Sequence, residues 1–127
     1  MQSGELASRV VAAVRDWEGI DVGSHRFGGE EFRWARVEIG HIHYQGFVDI
    51  PFSSKIRDQL LASGLAKQHH VLPETGWVTL PLKTEDDVKR ALELLRLSLD
   101  LKRARRGTDP GRRAALEVGL RKFGLLM

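Results

Sequence analysis

The chain has 127 residues, with 20 Lys and Arg, 17 Asp and Glu and no cysteine. This length suits one domain with a single hydrophobic core. The lack of cysteine excludes disulfides, thiolate metal sites and cysteine nucleophiles, and the near-average composition excludes disordered and fibrous classes. No apolar stretch approaches the roughly 20 residues of a membrane-spanning helix, and the first ten residues lack a secretory signal core. We therefore expect a cytoplasmic protein that does not bind membranes.

Charge is distributed unevenly along the chain. Residues 1–100 carry a net charge of −3, whereas residues 101–127 carry +6. A basic tail of this kind can contact phosphates, or it can be a solvated helix face with favourable charge at its C-terminus. The sequence has no zinc finger, no RNA-binding signature and no basic patch interleaved with aromatic residues, so we predict that nucleic acid is not the partner.

The first half of the chain changes from a helical period to a strand period. Apolar residues recur at helical spacing over residues 3–17 and predict an amphipathic helix. Alternation over residues 20–52 predicts three or four antiparallel strands. The turns between these strands are predicted at glycines, namely Gly28-Gly29, Gly40 and Gln45-Gly46.

The second half returns to helices after one more hairpin. Ser53 or Ser54 is predicted to cap a short helix that ends at Gly64. Residues 69–72 and 77–82 flank a turn-rich segment and predict the second hairpin. A capping box at Thr84 and Asp87 opens a long helix that is predicted to end at Gly107. The last helix is predicted to begin at Asp109 and Pro110, with Ala115, Val118, Leu120 and Phe123 as its apolar residues.

This order of elements predicts an α+β fold with two layers. We expect an antiparallel sheet of about five or six strands, with helices packed on one face and the other face open to a ligand. Residues 1–106 are expected to form the single α+β domain, and residues 107–127 a basic C-terminal helix packed on it or extending from it.

The alternation of strand residues assigns several polar side chains to the open face. Ile42 is the obvious core residue of its strand, which sends His41 and His43 to the other side. The same reasoning places Asp49, and also Trp77 with Thr79, on that side. In the adjacent pair His69 and His70, only one ring can point the same way unless a bulge intervenes. The sequence therefore predicts a cluster of histidines with a carboxylate and an indole.

Such a cluster allows three interpretations. Imidazoles titrate near neutral pH and a neighbouring carboxylate raises their basicity, so His41, His43, His69, His70 and Asp49 are candidates for general acid-base catalysis or ligand binding. Histidines in a His-x-His pattern with a third histidine can also hold a metal without cysteine. The third interpretation is a purely structural role. Trp77, Thr79 and Tyr44 are candidate substrate contacts.

A second dense motif covers residues 25–32, with the sequence HRFGGEEF. Its two glycines match neither a dinucleotide-binding nor a P-loop pattern, so we interpret them as a hairpin turn. Arg26 could bind an anionic ligand or pair with Glu31 across this turn.

The motifs together resemble the luciferase-domain family of small bacterial proteins, to which the fungal luciferase is related. The resemblance covers roughly residues 15–100 and rests on HRFGGEEF (25–32), EIGHIH (38–43), VDIPF (48–52) and HHVLPETGWVTLPL (69–82), followed by a leucine-rich helix. A weaker similarity, in topology alone, exists to MmcQ/YjbR-like proteins.

The resemblance implies a cofactor-independent oxygenation. In the fungal relative a hydroxypyrone is deprotonated, reacts with molecular oxygen and loses carbon dioxide as light is emitted. By this resemblance the histidine cluster would supply the base and stabilise the enolate, with His25 and Arg26 as anion contacts and Trp77 as a stacking wall. Because the fungal enzyme has an additional N-terminal segment, we expect a related oxygenation or proton transfer on a small aromatic or enolic substrate rather than light emission. No metal or organic cofactor is expected, and the protein is expected to be a monomer or homodimer.

A rival hypothesis comes from the topological similarity. The chain would then be a noncatalytic binding module of the MmcQ/YjbR kind that contacts nucleic acid through residues 101–127.

Overall fold

The structure, a computed structural model, describes residues 3–25, 28–69, 71–72, 75–107 and 109–127. Its helices are α1 (Ser3–Arg15), α2 (Ser54–Ala62), α3 (Glu85–Ala104) and α4 (Pro110–Lys122). Its strands are β1 (Ile20–Ser24), β2 (Glu30–Trp34), β3 (Val37–His43), β4 (Phe47–Pro51), β5 (Lys67–Gln68) and β6 (Trp77–Pro81). None of the helices in these ranges is both long and apolar enough to cross a membrane.

The six strands form one sheet in the order β1-β2-β3-β4-β6-β5, and all neighbouring strands are antiparallel. Helices α1 and α3 lie across one face, and α4 packs on α3. The predicted α+β fold with two layers is confirmed, and so is the upper estimate of six strands.

The core lies between the sheet and these helices. Strand residues with alternate spacing supply one side of it, including Phe32, Ile42, Val48, Ile50, Val78 and Leu80. Helix α3 supplies the other side with a stripe of leucines, of which Leu94, Leu95 and Leu97 are almost completely buried. Burial of this apolar surface is the main stabilising term of the fold, at roughly 25 cal/mol per Å².

The caps follow the sequence pattern. Ser53 rather than Ser54 caps α2, because its hydroxyl accepts a hydrogen bond from the backbone N–H of Ile56. Thr84 and Asp87 form the predicted capping box at the start of α3. Asp109 caps α4, with Pro110 in the first turn.

Three local predictions were wrong. Gly40 lies inside β3, and the β2–β3 turn is instead made by Ala35 and Arg36, which both have positive φ. The strand expected at residues 69–72 is β5, which ends earlier, at Gln68. In α4, Leu120 is buried and Phe123 partly buried, as predicted, but Val118 points outward, where it is 59% exposed, and Leu116 is the second buried residue.

A β-bulge in β3 sets the direction of the side chains near the site. Phe32 pairs with Gly40 but the next residue of β2, Arg33, pairs with Glu38, so Ile39 is the extra residue. The bulge reverses the alternation at this point. Ile39 therefore enters the core, and Glu38 turns to the same side of the sheet as His41.

Candidate histidine site

Asp49 is the centre of the histidine cluster. Its carboxylate is completely buried, on the side of the sheet opposite to its core neighbours in β4. One oxygen, Oδ2, lies 3.0 Å from Nε2 of His41, 3.2 Å from Nε2 of His43 and 3.4 Å from Nε2 of His69. The other oxygen, Oδ1, accepts a hydrogen bond of 2.6 Å from the hydroxyl of Thr79. One buried carboxylate thus gathers three imidazoles and a hydroxyl.

His69 reaches this centre from the chain just beyond β5. Its Nδ1 accepts hydrogen bonds from the backbone N–H groups of Val71 and Leu72, at 3.1 and 2.9 Å. A ring nitrogen that accepts carries no proton, so the proton of the neutral ring is on Nε2. His69 therefore faces Asp49 with an N–H group.

Two further carboxylates hold the outer nitrogens of the cluster. Nδ1 of His41 lies 2.6 Å from Oε2 of Glu38, which the β-bulge turns to this side. Nδ1 of His25 lies 3.0 Å from Oε1 of Glu31, and the guanidinium of Arg33 also pairs with Glu31. Each of the two imidazoles is thereby oriented by a carboxylate behind it.

Aromatic rings surround the polar centre. The ring of His25 stacks on that of His41, with centroids 3.9 Å apart. Phe47 stacks on His43 at 4.4 Å, and Trp77 lies 5.1 Å from His41 and 6.0 Å from His69. These rings leave the side chains of His41, His43 and His69 less than 10% exposed. The rings are therefore shielded from solvent, and electrostatic interactions among them are stronger than in water.

The pKa values of His41 and His43 move in opposite directions. Burial lowers the pKa of His41, but hydrogen bonds to Asp49 and Glu38 outweigh it and raise the pKa to about 9. Burial lowers the pKa of His43 and outweighs its attraction to Asp49, and the neighbouring His41 lowers it further. At neutral pH the site holds a charged ring beside a neutral one, an arrangement suited to paired acid and base roles.

A cleft of about 380 Å³ opens beside the cluster. It is lined by Ser24, His25, Glu31, Arg33 and Glu38. Burial raises the pKa of the Glu31 carboxyl, but hydrogen bonds to His25 and Arg33 outweigh it and lower the pKa below its usual value. The cleft therefore has a charged wall, which includes Glu31 and Glu38, the carboxylates that contact Nδ1 of His25 and His41.

Most of the predicted site residues lie together. The structure brings His41, His43, His69, Asp49, Thr79 and Trp77 into one cluster, with His25 at its edge. Tyr44 is not part of it. Tyr44 follows the alternation of Ile42, is 44% exposed, and its hydroxyl donates to Glu30 at 3.3 Å on the helix side of the sheet. His70 and Arg26 lie outside the described residues.

Three neighbours of the cluster were not among the predicted site residues. The sequence does not predict Glu38 at the site, because simple alternation places it on the core side and only the bulge reverses this. Glu31 is the register partner of His41 on β2, which sequence alone does not reveal. Phe47 alternates with Asp49 on β4, and this pattern alone places it on the same face of the sheet.

Comparison with known proteins identifies the family. Residues 36–98 match the family model described as the luciferase domain. No curated protein and no solved structure matches the chain. The matched segment runs from β3 to the middle of α3 and includes His41, His43, Asp49, His69, Trp77 and Thr79. Three of the four motifs, EIGHIH, VDIPF and HHVLPETGWVTLPL, lie within the matched segment and HRFGGEEF lies before it, and the chain belongs to the luciferase-domain family.

Proposed function

We propose that the protein is a small-molecule enzyme that deprotonates an enolic or aromatic hydroxyl compound at the histidine cluster and allows the enolate to react with molecular oxygen. The observation that carries this proposal is the convergence of three imidazoles on one oxygen of the buried Asp49. A structural role needs only one or two partners for a buried carboxylate, whereas this cluster concentrates groups that exchange protons near neutral pH.

The surroundings of the cluster suit a flat substrate. Trp77 and Phe47 offer aromatic surfaces on two sides of the histidines, and aromatic side chains stack on flat rings. The adjoining cleft of about 380 Å³ is large enough for a single-ring compound. Its wall includes Arg33, whose guanidinium can bind an oxygen that becomes negative.

The burial of the cluster supports the choice of reaction. An enolate that forms beside these buried rings is shielded from water, and the charged His41 ring can stabilise its negative oxygen. The enolate carbon then supplies an electron pair to oxygen, forming a carbon–oxygen bond and a peroxide. Membership of the luciferase-domain family supports this class of chemistry, since the fungal relative oxygenates a hydroxypyrone.

The test uses maltol, kojic acid and catechol as probes. We expect at least one of them to raise the Tm of the wild-type protein, since a ligand at 100 times its Kd adds about 2.7 kcal/mol of stability. We also expect the same probe to cause oxygen uptake, measured with an oxygen electrode. His43→Ala should abolish both effects. Phe32→Leu, a core substitution on the helix side of the neighbouring strand, should preserve them.

Two results would contradict the proposal. One is oxygen uptake that is equal in the wild type and in His43→Ala, which would place the reaction elsewhere. The other is a complete lack of response to all three probes and to a wider panel of hydroxypyrones.

A further inference from the structure

We propose that His25, His41 and His43 bind a divalent first-row transition-metal ion, with Asp49 completing the ligand set. The sequence left metal coordination open as one of three interpretations, and the tertiary structure favours it for this subset of the histidines. The role of the ion rests on the proposed function, whereas its binding does not.

The spacing of the ligand atoms fits such an ion. One nitrogen from each of the three rings lies within 4.8 Å of the others. Oδ2 of Asp49 lies 3.0 and 3.2 Å from Nε2 of His41 and His43. With metal–ligand bonds of about 2.0–2.2 Å, neighbouring ligand atoms of a tetrahedral site are about 3.4 Å apart. Small shifts of these side chains therefore suffice to form the site.

The hydrogen bonds of the outer nitrogens prepare two rings for coordination. Because Glu31 accepts from Nδ1 of His25, the proton of the neutral His25 ring is on Nδ1 and the lone pair on Nε2. His41 lies between two carboxylates, Glu38 at Nδ1 and Asp49 at Nε2, so an ion at Nε2 would take the place of a proton while Glu38 still holds Nδ1. A carboxylate behind a metal-binding imidazole is the usual support of metal sites, because it orients the ring and increases its basicity.

The same reasoning excludes His69. Two backbone N–H groups donate to its Nδ1, so its Nε2 must keep a proton and cannot offer a lone pair. His69 instead directs its Nε2–H group at Oδ2 of Asp49, 3.4 Å away. The hydrogen bonds at Nδ1 thus separate His69, which accepts there, from His25 and His41, which donate there.

The charges around the site also favour a cation. Asp49, Glu31 and Glu38 surround the three rings. Arg33 already compensates Glu31, and a divalent ion would neutralise the charges of Asp49 and Glu38. Binding of the ion would release the proton of any ligating nitrogen that carries one, as metal binding to imidazoles generally does.

For the proposed function the ion would act as a Lewis acid. Enolic compounds with two neighbouring oxygens are good ligands for such ions. A bound hydroxyl loses its proton more readily, because the ion stabilises the negative oxygen.

The experiment measures metal binding rather than activity. The full chain is purified without a histidine tag, treated with a chelator, and titrated with Zn²⁺ by calorimetry and with Co²⁺ by visible absorption. We expect one ion per chain and the intense absorption of four-coordinate Co²⁺. His25→Ala and His41→Ala should each weaken binding by about 100-fold or more, and Glu38→Gln by about tenfold. His69→Gln keeps a donor for Asp49 and should retain the wild-type affinity within a few-fold.

Circular dichroism and urea denaturation check that each variant is folded. His25→Ala changes a residue of the β1–β2 loop and leaves the core residues of the sheet in place. The proposal is overturned if the wild type binds neither ion, if His25→Ala and His41→Ala bind as tightly as the wild type, or if His69→Gln loses as much affinity as His41→Ala. Turnover of a probe without metal binding would overturn the metal site alone. Metal binding without turnover of any probe would overturn the proposed function alone.

Discussion

His41 and Asp49 are register partners on the adjacent strands β3 and β4, and their Nε2 and Oδ2 atoms are 3.0 Å apart. A slip of one residue between these strands would turn one of the two side chains into the core. The apolar neighbours Ile42 and Val48, which are also partners and are completely buried, prevent this slip. The packing that stabilises the fold therefore also aligns the site.

Asp49→Asn should destabilise the protein and disable the site. The amide removes the negative charge and presents an NH₂ group to N–H groups of the histidines, leaving buried polar groups without acceptors. We expect a loss of about 3 kcal/mol in the free energy of unfolding, measured by urea denaturation. Oxygen uptake with the active probe should fall to background.

Asp100→Asn is the matched control for this variant. Asp100 is also a buried aspartate, and burial raises the pKa of its carboxyl, so a neutral amide suits its environment. It lies on α3, on the other side of the sheet. Equal losses of activity in the two variants would show that Asp49 acts through stability alone.

Gly40→Ala should destabilise the protein through a steric conflict with α3. A Cβ atom at this position would lie 2.5 Å from Cδ2 of Leu95 and 3.1 Å from the carbonyl oxygen of Asp49. We expect a loss of about 1–3 kcal/mol in the free energy of unfolding. In a Leu95→Ala background the same substitution should cost clearly less, because the obstructing side chain is gone. Strictly additive losses in the double variant would contradict this explanation.

Lys102 should make the stability of the protein depend on pH in the alkaline range. Burial, with a smaller effect of Arg105, lowers its pKa from 10.5 to about 8, and its Nζ donates to the carbonyl of Pro51 and the hydroxyl of Ser98. Between pH 8 and 10.5 the unfolded chain binds more protons than the folded protein, so stability rises with pH in this window.

The measurement is urea denaturation at pH 7 and pH 9.5 for the wild type and for Lys102→Met. The wild type should gain about 2 kcal/mol relative to the variant between the two pH values. A difference that does not change with pH would mean that Lys102 titrates at its ordinary pKa in the folded protein.

Thr84→Ala should weaken the start of α3. The hydroxyl of Thr84 accepts from the backbone N–H of Asp87, and the Asp87 carboxylate accepts from the N–H of Thr84. We expect a loss of about 1 kcal/mol in the free energy of unfolding, whereas Thr84→Ser should be close to wild type. If serine costs as much as alanine, the methyl group rather than the hydroxyl is responsible.

Patterns that are local in the chain predicted much of this protein. The alternation around Ile42 placed His41 and His43 on one face, and the pattern of Thr84 and Asp87 predicted the capping box. These predictions succeeded because strand alternation and helix capping depend on residues only a few positions apart.

The composition of the site depended on contacts between distant residues. The bulge at Ile39 places Glu38 next to His41. The pairing of β2 with β3 places Glu31 next to His41. His69 contacts Asp49 from the segment after β5, which ends earlier than predicted. Tyr44, the neighbour of His43, lies instead on the helix side.

The sequence by itself therefore determined the two-layer fold and the face on which His41, His43 and Asp49 lie. The hydrophobic periodicity of a helix or a strand depends on residues only a few positions apart. Only the tertiary structure decided that Glu31 stands behind His25 and Glu38 behind His41, and that two backbone N–H groups fix the proton of His69 on Nε2. That depends on strand register and on a bulge, which are set by the packing of the whole sheet against α3.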